Sequence, residues 1–169
     1  MLGNKVQEAF NEQLNAEYAS SYLYLSMAAY AEAENLKGVA HWFRVQSQEE
    51  LHHAMKIFEF VVDRGGRVLL TAIEAPATKW KSPLHLFEAT LEHEQYVTKR
   101  IDKLVDLSIA ENDHASHGFL QWFVNEQVEE EATVEEIIAQ LKLVEGAPGG
   151  LFLLDRELAQ RGLRAGTND

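Results

Sequence analysis

Prolines and clustered glycines divide this chain into four long segments, and this spacing limits the fold more than any other feature. Among 169 residues there are 3 Pro and 10 Gly, and most of them lie in two places. We expect four long helices, over residues 4–32, from after Asn35 to Gly65–Gly66, from Ser82-Pro83 to about 110, and over 114–145. A short fifth helix is expected over 149–162, followed by a polar tail.

The connection between the second and third helices, residues 65–82, is too long for a simple turn. The other two connections are a few residues long, so the helices that they join form antiparallel hairpins. Fully extended, the long connection reaches at most ~60 Å, whereas each helix is roughly 40 Å long. We therefore predict an all-α four-helix bundle with one long crossover and a short C-terminal helix, as one domain over 1–169.

Charge and cysteine content exclude several classes of function. The chain has 15 basic and 27 acidic residues, a formal net charge of −12, which argues against a nucleic-acid partner and favours cations. It has no cysteine, which excludes disulfides, iron–sulfur clusters and thiol nucleophiles. No apolar run approaches the ~20 residues of a membrane span, and the first ten residues lack the apolar centre of a signal peptide. We expect a cytoplasmic protein with no membrane partner.

Each of the four long segments carries an apolar stripe that carboxylates interrupt near its middle. Apolar residues resume on the same face afterwards, so the face remains that of the core. The interruptions are Glu17, Glu50 with His53, Glu94, and Gln127 with Glu130. The second and third helices run antiparallel to the first and fourth. At about 1.5 Å per residue, these interrupting residues therefore all lie roughly 15–25 Å from one end of the bundle. Four carboxylates and one imidazole are thus predicted at one level of the interior.

A buried group of like charges is costly unless protons or cations neutralise it. Four carboxylates balance two divalent cations, and oxygen ligands with one imidazole suit iron or manganese, with zinc a further candidate. Glu50 and His53 are three residues apart and share one helical face. The alternative is that each glutamate lies at the edge of its stripe and that His53 is an ordinary core histidine. Four interruptions at one height favour the metal site.

The segments around these residues resemble the haem-free bacterial ferritins, over essentially the whole chain. The resemblance is carried by NEQLNAEYASSYLYL (11–25), QEELHH (48–53), HEQ (93–95) and LQWFVNEQVEEE (120–131). It implies a ferritin-like bundle and an iron-storage protein with ferroxidase activity. In this family Fe(II) is oxidised by O2 or peroxide, and ferric mineral is kept in a hollow homo-oligomeric shell of twenty-four subunits.

The resemblance also implies the roles of the interrupting residues at a di-iron centre. One iron would be bound by Glu17, Glu50 and His53. The second would be held by Glu94 and Glu130, with Glu50 bridging and Gln127 nearby. The fourth helix has Gln127 where a symmetric di-iron pattern would repeat the Glu-x-x-His motif, so we expect the second iron to be held more loosely.

Further residues match the family at a possible third iron site and beside the centre. Glu49, Glu126 and Glu129, with Glu130 shared, would form the weaker third site, and the alternative for these three is a solvated acidic face. Tyr24 would lie beside the centre as a hydrogen-bond partner and one-electron donor. Haem is not expected, because His52 occupies the position at which haem-binding relatives carry methionine.

Apolar faces outside the core stripes favour a homo-oligomer. Tyr18, Tyr22 and Leu25 form a second stripe on the first helix, and Leu151–Leu154 form an apolar cluster near the C-terminus. Exposed single residues are the alternative. Two other functions also stay open at this point, a di-iron oxidase or peroxidase of a small molecule without mineral storage, and a non-catalytic structural bundle.

Overall fold

The computed structural model describes residues 2–163, and these residues form five α-helices and no β-strand. Their bounds are α1 Asn4–Ala33, α2 Lys37–Asp63, α3 Pro83–Ala110, α4 His114–Leu143 and α5 Gly150–Leu158. The four long helices and the short fifth one confirm the predicted fold class. The expected polar tail, 164–169, lies outside the described residues.

Local signals in the sequence explain where the helices begin and end. Asn35 and Asn112 follow α1 and α3 in the left-handed conformation, with φ of 59° and 55°, which asparagine tolerates better than most residues. The Ser82 hydroxyl accepts a hydrogen bond from the backbone N–H of His85 at 3.1 Å and caps α3. Asp113 caps α4 in the same way, accepting from the Ser116 N–H at 3.1 Å.

Two predicted helix ends were too far along the chain. The fourth helix ends at Leu143 instead of 145, and the fifth ends at Leu158 instead of 162. Beyond Leu158 a turn closes with a hydrogen bond from the Gln160 N–H to the Glu157 carbonyl. The chain then carries Arg161 back toward α2, where its carbonyl contacts the His41 ring at 2.7 Å. No Gly or Pro lies between Leu158 and Gly162, so the sequence has no local signal for this earlier end, which coincides with the contact to α2.

The connection between α2 and α3 is a crossover that lies along α1. The Asn11 side chain donates to the Arg67 carbonyl at 3.0 Å and accepts from the Leu69 N–H at 2.9 Å. Further along α1, Ser26 donates to the Ala77 carbonyl at 2.6 Å. Because the connection follows α1 from its first turns toward its last, it begins α3 at the same end of the bundle as α2 and makes the two helices parallel.

Two apolar clusters fill the bundle core, one toward each end. One contains Tyr24, Phe43 and Phe87, and the other contains Phe10, Ile57 and Phe123. The residues that interrupt the stripes lie between these clusters along the helices. Among residues 2–163, none of the helices combines the length and the apolar character that a membrane span requires.

Helix α5 docks on the first turn of α2 by a close backbone approach. A Cβ added at Gly38 would lie 1.6 Å from the Asp155 carbonyl oxygen, so a larger residue cannot occupy this position without displacing α5. The Asp155 carboxylate accepts a hydrogen bond from the Val39 N–H at 2.9 Å. It thereby satisfies a backbone donor at the start of α2, where the N-cap residue Leu36 provides no side-chain bond.

Candidate metal centre

All six residues that interrupt the apolar stripes are buried in the middle of the bundle. None is more than 4% exposed: Glu17 on α1, Glu50 and His53 on α2, Glu94 on α3, and Gln127 and Glu130 on α4. All four long helices therefore contribute polar side chains to one interior level. Each such side chain needs a hydrogen bond, a proton or a cation to offset the lost hydration.

Glu17, Glu50 and His53 form the tightest part of this level. One ligand atom of each residue lies within 4.8 Å of the other two. The His53 Nδ1 is 3.3 Å from the Glu50 Oε2, and the His53 ring packs at 5.3 Å against the ring of Trp122. An ion placed among the three atoms would therefore be shielded from solvent by aromatic packing.

The Glu17 carboxylate is only half satisfied. Gln13 donates to its Oε1 at 2.6 Å, whereas its buried Oε2 receives no hydrogen bond from an N–H or O–H donor of the described residues. One oxygen of Glu17 lies within 4.8 Å of an oxygen of Glu50, so the two carboxylates are close enough to share one cation. An unsatisfied buried oxygen beside an imidazole and a second carboxylate fits the donor set of a divalent cation.

Glu94 is held from two sides. The Tyr24 hydroxyl donates to its Oε1, and the Gln127 side-chain amide donates to its Oε2 at 3.2 Å. The same Gln127 amide lies 3.3 Å from the Thr98 hydroxyl. Burial, followed by the charge of Glu94, raises the pKa of Tyr24 well above its usual value, so the phenol keeps its proton as a donor.

Gln46 bonds to two carboxylates of the centre that lie on different helices, Glu50 on α2 and Glu130 on α4. Its side-chain Nε2 donates to the Glu50 Oε1 at 3.2 Å and to the Glu130 Oε2 at 2.9 Å. It therefore connects a carboxylate of α2 with one of α4, although the backbones of these two helices are not close neighbours. Gln46 is fully buried, and its two acceptors are both carboxylates of the interior level.

Burial and mutual repulsion raise the pKa values of these carboxyls. The pKa of Glu17 rises to about 8, first because of burial and then because of the Glu50 charge. The pKa of Glu94 rises to about 7, first through burial and then through the Glu130 charge. Burial, then the charges of Glu94 and Glu130, also raise the pKa of Glu50 well above its usual range. Near neutral pH the metal-free centre therefore retains protons, which an entering cation must displace.

The residues predicted for a third iron site are not gathered in this way. Within residues 2–163, Glu17, Glu50 and His53 are the one set of three or more acidic or histidine side chains close enough to share an ion. Glu129 is exposed, and the buried Glu49 carboxylate forms an ion pair with Arg161 at 2.5 Å. A third iron at Glu49 would have to compete with this guanidinium, and the third site stays a prediction.

Sequence reasoning missed three side chains that touch the centre. Gln13 and Gln46 each precede a glutamate ligand candidate by four residues, and a polar residue one turn before a buried carboxylate is a usable signal. Arg161 gave no signal, because it is far along the chain from its partners and follows the last helix.

Known relatives match the chain over nearly its whole length. A family model for the ferritin-like domain matches residues 7–144. The chain is 46% identical over 161 residues to the bacterial non-heme ferritin of Bacteroides fragilis (strain 638R). The aligned region covers 95% of this chain and 100% of the relative. It is 40% identical over 161 residues to the bacterial non-heme ferritin of Staphylococcus saprophyticus, covering 95% of this chain and 96% of the relative.

Solved structures agree with this relationship. A closed form of the Archaeoglobus fulgidus ferritin, engineered by site-directed mutagenesis, matches with a TM-score of 0.95 and 51% identity over 97% of this chain and 100% of that one. The open pore ferritin of the same hyperthermophilic archaeon matches with a TM-score of 0.94 and 52% identity, over 96% of this chain and 99% of that one. The five-helix fold, the buried carboxylate level and these full-length similarities show that this chain belongs to the ferritin family of iron-storage proteins.

Proposed function

We propose that this protein is a ferroxidase that oxidises Fe(II) at the buried carboxylate level and stores the ferric product. The observation that carries the proposal is the unsatisfied Glu17 Oε2 beside Glu50 and His53. Burial and the Glu50 charge raise the pKa of Glu17, so this group favours a neutralising proton or cation. Iron is here the substrate and the cargo. Carboxylate oxygens and one imidazole match the ligands that iron prefers.

Each carboxylate has a proposed place in holding a pair of Fe(II) ions. Glu17, Glu50 and His53 hold one ion, Glu94 and Glu130 hold the second, and Glu50 bridges the two. The second ion has no imidazole ligand, and Gln127 already donates its amide to Glu94, so we expect weaker binding there. A loosely held product suits a site that passes iron on to a store.

The pairing of the two ions sets the electron balance. Two Fe(II) ions give up one electron each, so together with two protons they reduce one O2 to one hydrogen peroxide, or one hydrogen peroxide to two water molecules. A single ion would release superoxide instead. The protein residues supply charge balance, geometry and exclusion of water. Tyr24 is proposed as the hydrogen-bond donor that orients Glu94.

We propose that the storage compartment is a hollow shell of twenty-four copies. Large apolar side chains support association of copies, because Tyr22 and Leu25 on α1 are each 50% exposed, and Phe152 and Leu153 on α5 are 64% and 65% exposed. A shell of this kind has a mass of about 460 kDa from twenty-four 19.1-kDa chains. Light scattering that finds a monomer at micromolar concentration would refute the shell.

The oxidation reaction is tested by stopped-flow absorption after mixing Fe(II) with aerobic protein. We expect rapid oxidation by the natural protein and only the rate of free Fe(II) in buffer by the double variant Glu50→Ala, His53→Ala. The exposed Glu135→Gln on the same protein is the matched control and retains the natural rate. Equal rates for the natural protein and the double variant contradict the proposal.

Storage is tested separately from oxidation. Purified protein is loaded aerobically with Fe(II), passed over a desalting column and analysed for iron and protein together. Retention of far more iron than paired sites can hold supports storage. Retention of two ions per chain points instead to a di-iron oxidase or peroxidase that acts on a small molecule.

A further inference from the structure

Arg161 extends from the end of the C-terminal segment into the wall of the metal centre. Its side chain is only 13% exposed. The guanidinium lies 4.2 Å from the centre of the Trp42 ring, and its Nη2 donates to the Gln46 Oε1 at 2.7 Å and to the Glu49 Oε2 at 2.5 Å. The planar guanidinium is thus held by the Trp42 ring, by the amide oxygen of Gln46 and by the carboxylate of Glu49.

The chemistry of guanidinium determines which way the Gln46 amide points. Arginine has five N–H donors and no acceptor, so the group that faces it must be an oxygen. With its Oε1 directed at Arg161, Gln46 must direct its Nε2 the other way, toward Glu50 and Glu130. If the amide turned over, its oxygen would face two carboxylates and its nitrogen would face a cation.

The docking of α5 places Arg161 at this position. Gly38 lets α5 approach the backbone of α2, and Asp155 accepts from the Val39 N–H. The contacts of the C-terminal segment then continue along α2, through His41 and Trp42, to Gln46. The position of Arg161 therefore depends on a docked helix, while its effect reaches the interior carboxylates.

We propose that Arg161 is a positioning residue of the metal centre, which acts through Gln46 to keep one amide donor on both Glu50 and Glu130. This inference rests on the proposed function, since it requires that these carboxylates bind metal. When Glu50 and Glu130, which lie on different helices, are each held in a fixed orientation, a pair of cations that contacts both should bind more tightly. Groups that orient metal ligands in this way typically contribute about 10–100-fold to metal affinity.

The test measures metal affinity directly, by titrating the assembled, metal-free protein with Co(II) and following its visible absorption. We expect Arg161→Ala to weaken Co(II) binding by about 10–100-fold. We expect Arg161→Lys to recover only part of this loss, because an ammonium keeps the charge but lacks the planar group that lies over Trp42 while it bonds to Gln46 and Glu49. Arg156→Ala, in the exposed face of α5, is the matched control and leaves the affinity unchanged.

A double-mutant cycle shows whether the effect passes through Gln46. In a Gln46→Met background we expect Arg161→Ala to change Co(II) affinity by less than about twofold. A loss of the same size in both backgrounds, or no loss in the natural background, overturns the inference. If the natural protein does not bind Co(II) or Fe(II), the proposed function is wrong. If the natural protein binds Co(II) and Arg161→Ala leaves the affinity unchanged, only the inference about Arg161 is wrong.

Discussion

Two neighbouring regions of the core are equally buried but differ in what they do for the fold. The metal layer consists of Glu17, Glu50, His53, Glu94 and Glu130. The aromatic layer consists of Trp42, Phe43 and Phe87, whose ring centroids lie 4.9–5.1 Å apart. Both layers are formed on the same apolar stripes of the bundle.

The difference shows that burial by itself does not stabilise. In the aromatic layer burial removes apolar surface from water and gains close contacts, so it favours folding. In the metal layer the same burial raises the pKa values of Glu17 and Glu94 to about 8 and about 7, which shows that the charged forms are disfavoured there. Protons or cations must neutralise these acids before burial of this layer stops opposing folding.

The largest expected effect comes from disrupting the aromatic layer. Phe43→Ala should lower the free energy of unfolding by about 3–5 kcal/mol, because it leaves a cavity among close-packed rings. Chemical denaturation of the metal-free protein measures this change. Leu143→Ala, at a leucine that is 82% exposed, is the control and should change it by less than about 0.5 kcal/mol. A loss under about 1 kcal/mol for Phe43→Ala contradicts the comparison.

Filling the metal layer should give a gain of nearly similar size. Free Zn(II) at a hundred times its dissociation constant is expected to raise the free energy of unfolding by about 2.7 kcal/mol per site. Thermal unfolding with and without Zn(II) tests this. The double variant Glu50→Ala, His53→Ala should show no such gain, and an equal gain in that variant would place the ion elsewhere.

Glu17 contributes one part of the pH dependence of the metal-free protein, and comparison with Glu17→Gln isolates that part. Its folded pKa of about 8 lies above the unfolded value of 4.5, so its contribution to stability is complete below pH 4.5 and is lost as the pH rises through 8. Between about pH 6 and pH 8 this one group should remove about 2 kcal/mol. Glu17→Gln has no such titration, so its stability should exceed that of the natural protein increasingly with pH in denaturant melts. Parallel curves for the two proteins would show that Glu17 does not carry the shift.

The smallest effect is expected outside both layers, at the helix cap formed by Ser82. Ser82→Ala should cost about 1 kcal/mol in unfolding experiments, because the His85 N–H loses its acceptor. Ser82→Asp retains an acceptor and should preserve the stability. Metal affinity should be unchanged in both variants, and a large change would mean that the two layers are not independent of the helix ends.

The sequence predicted the helices well because their signals are local. Ser82 and Asp113 act as caps within one turn, and Asn35 and Asn112 follow helices with positive φ. The end of α5 was predicted too late, since it depends on contacts with α2 that no local rule describes.

For the centre, residue spacing predicted which acids and which imidazole reach one interior level. It did not predict how they are bonded. The Gln46 amide bridges α2 and α4, and the Glu17 Oε2 is left without a donor of the described residues. Both outcomes depend on distances of a few tenths of an ångström between helices, which hydrophobic periodicity does not encode.

The sequence by itself determined the all-α bundle and the polar level inside it, because helical period and charge act through near neighbours in the chain. Only the tertiary structure decided that Arg161 turns back from α5 to meet Trp42, Gln46 and Glu49 on α2. Long-range contacts of this kind arise when α5 docks on α2 at Gly38 and Asp155. Arg161, which is far from α2 in the chain, then lies beside the site.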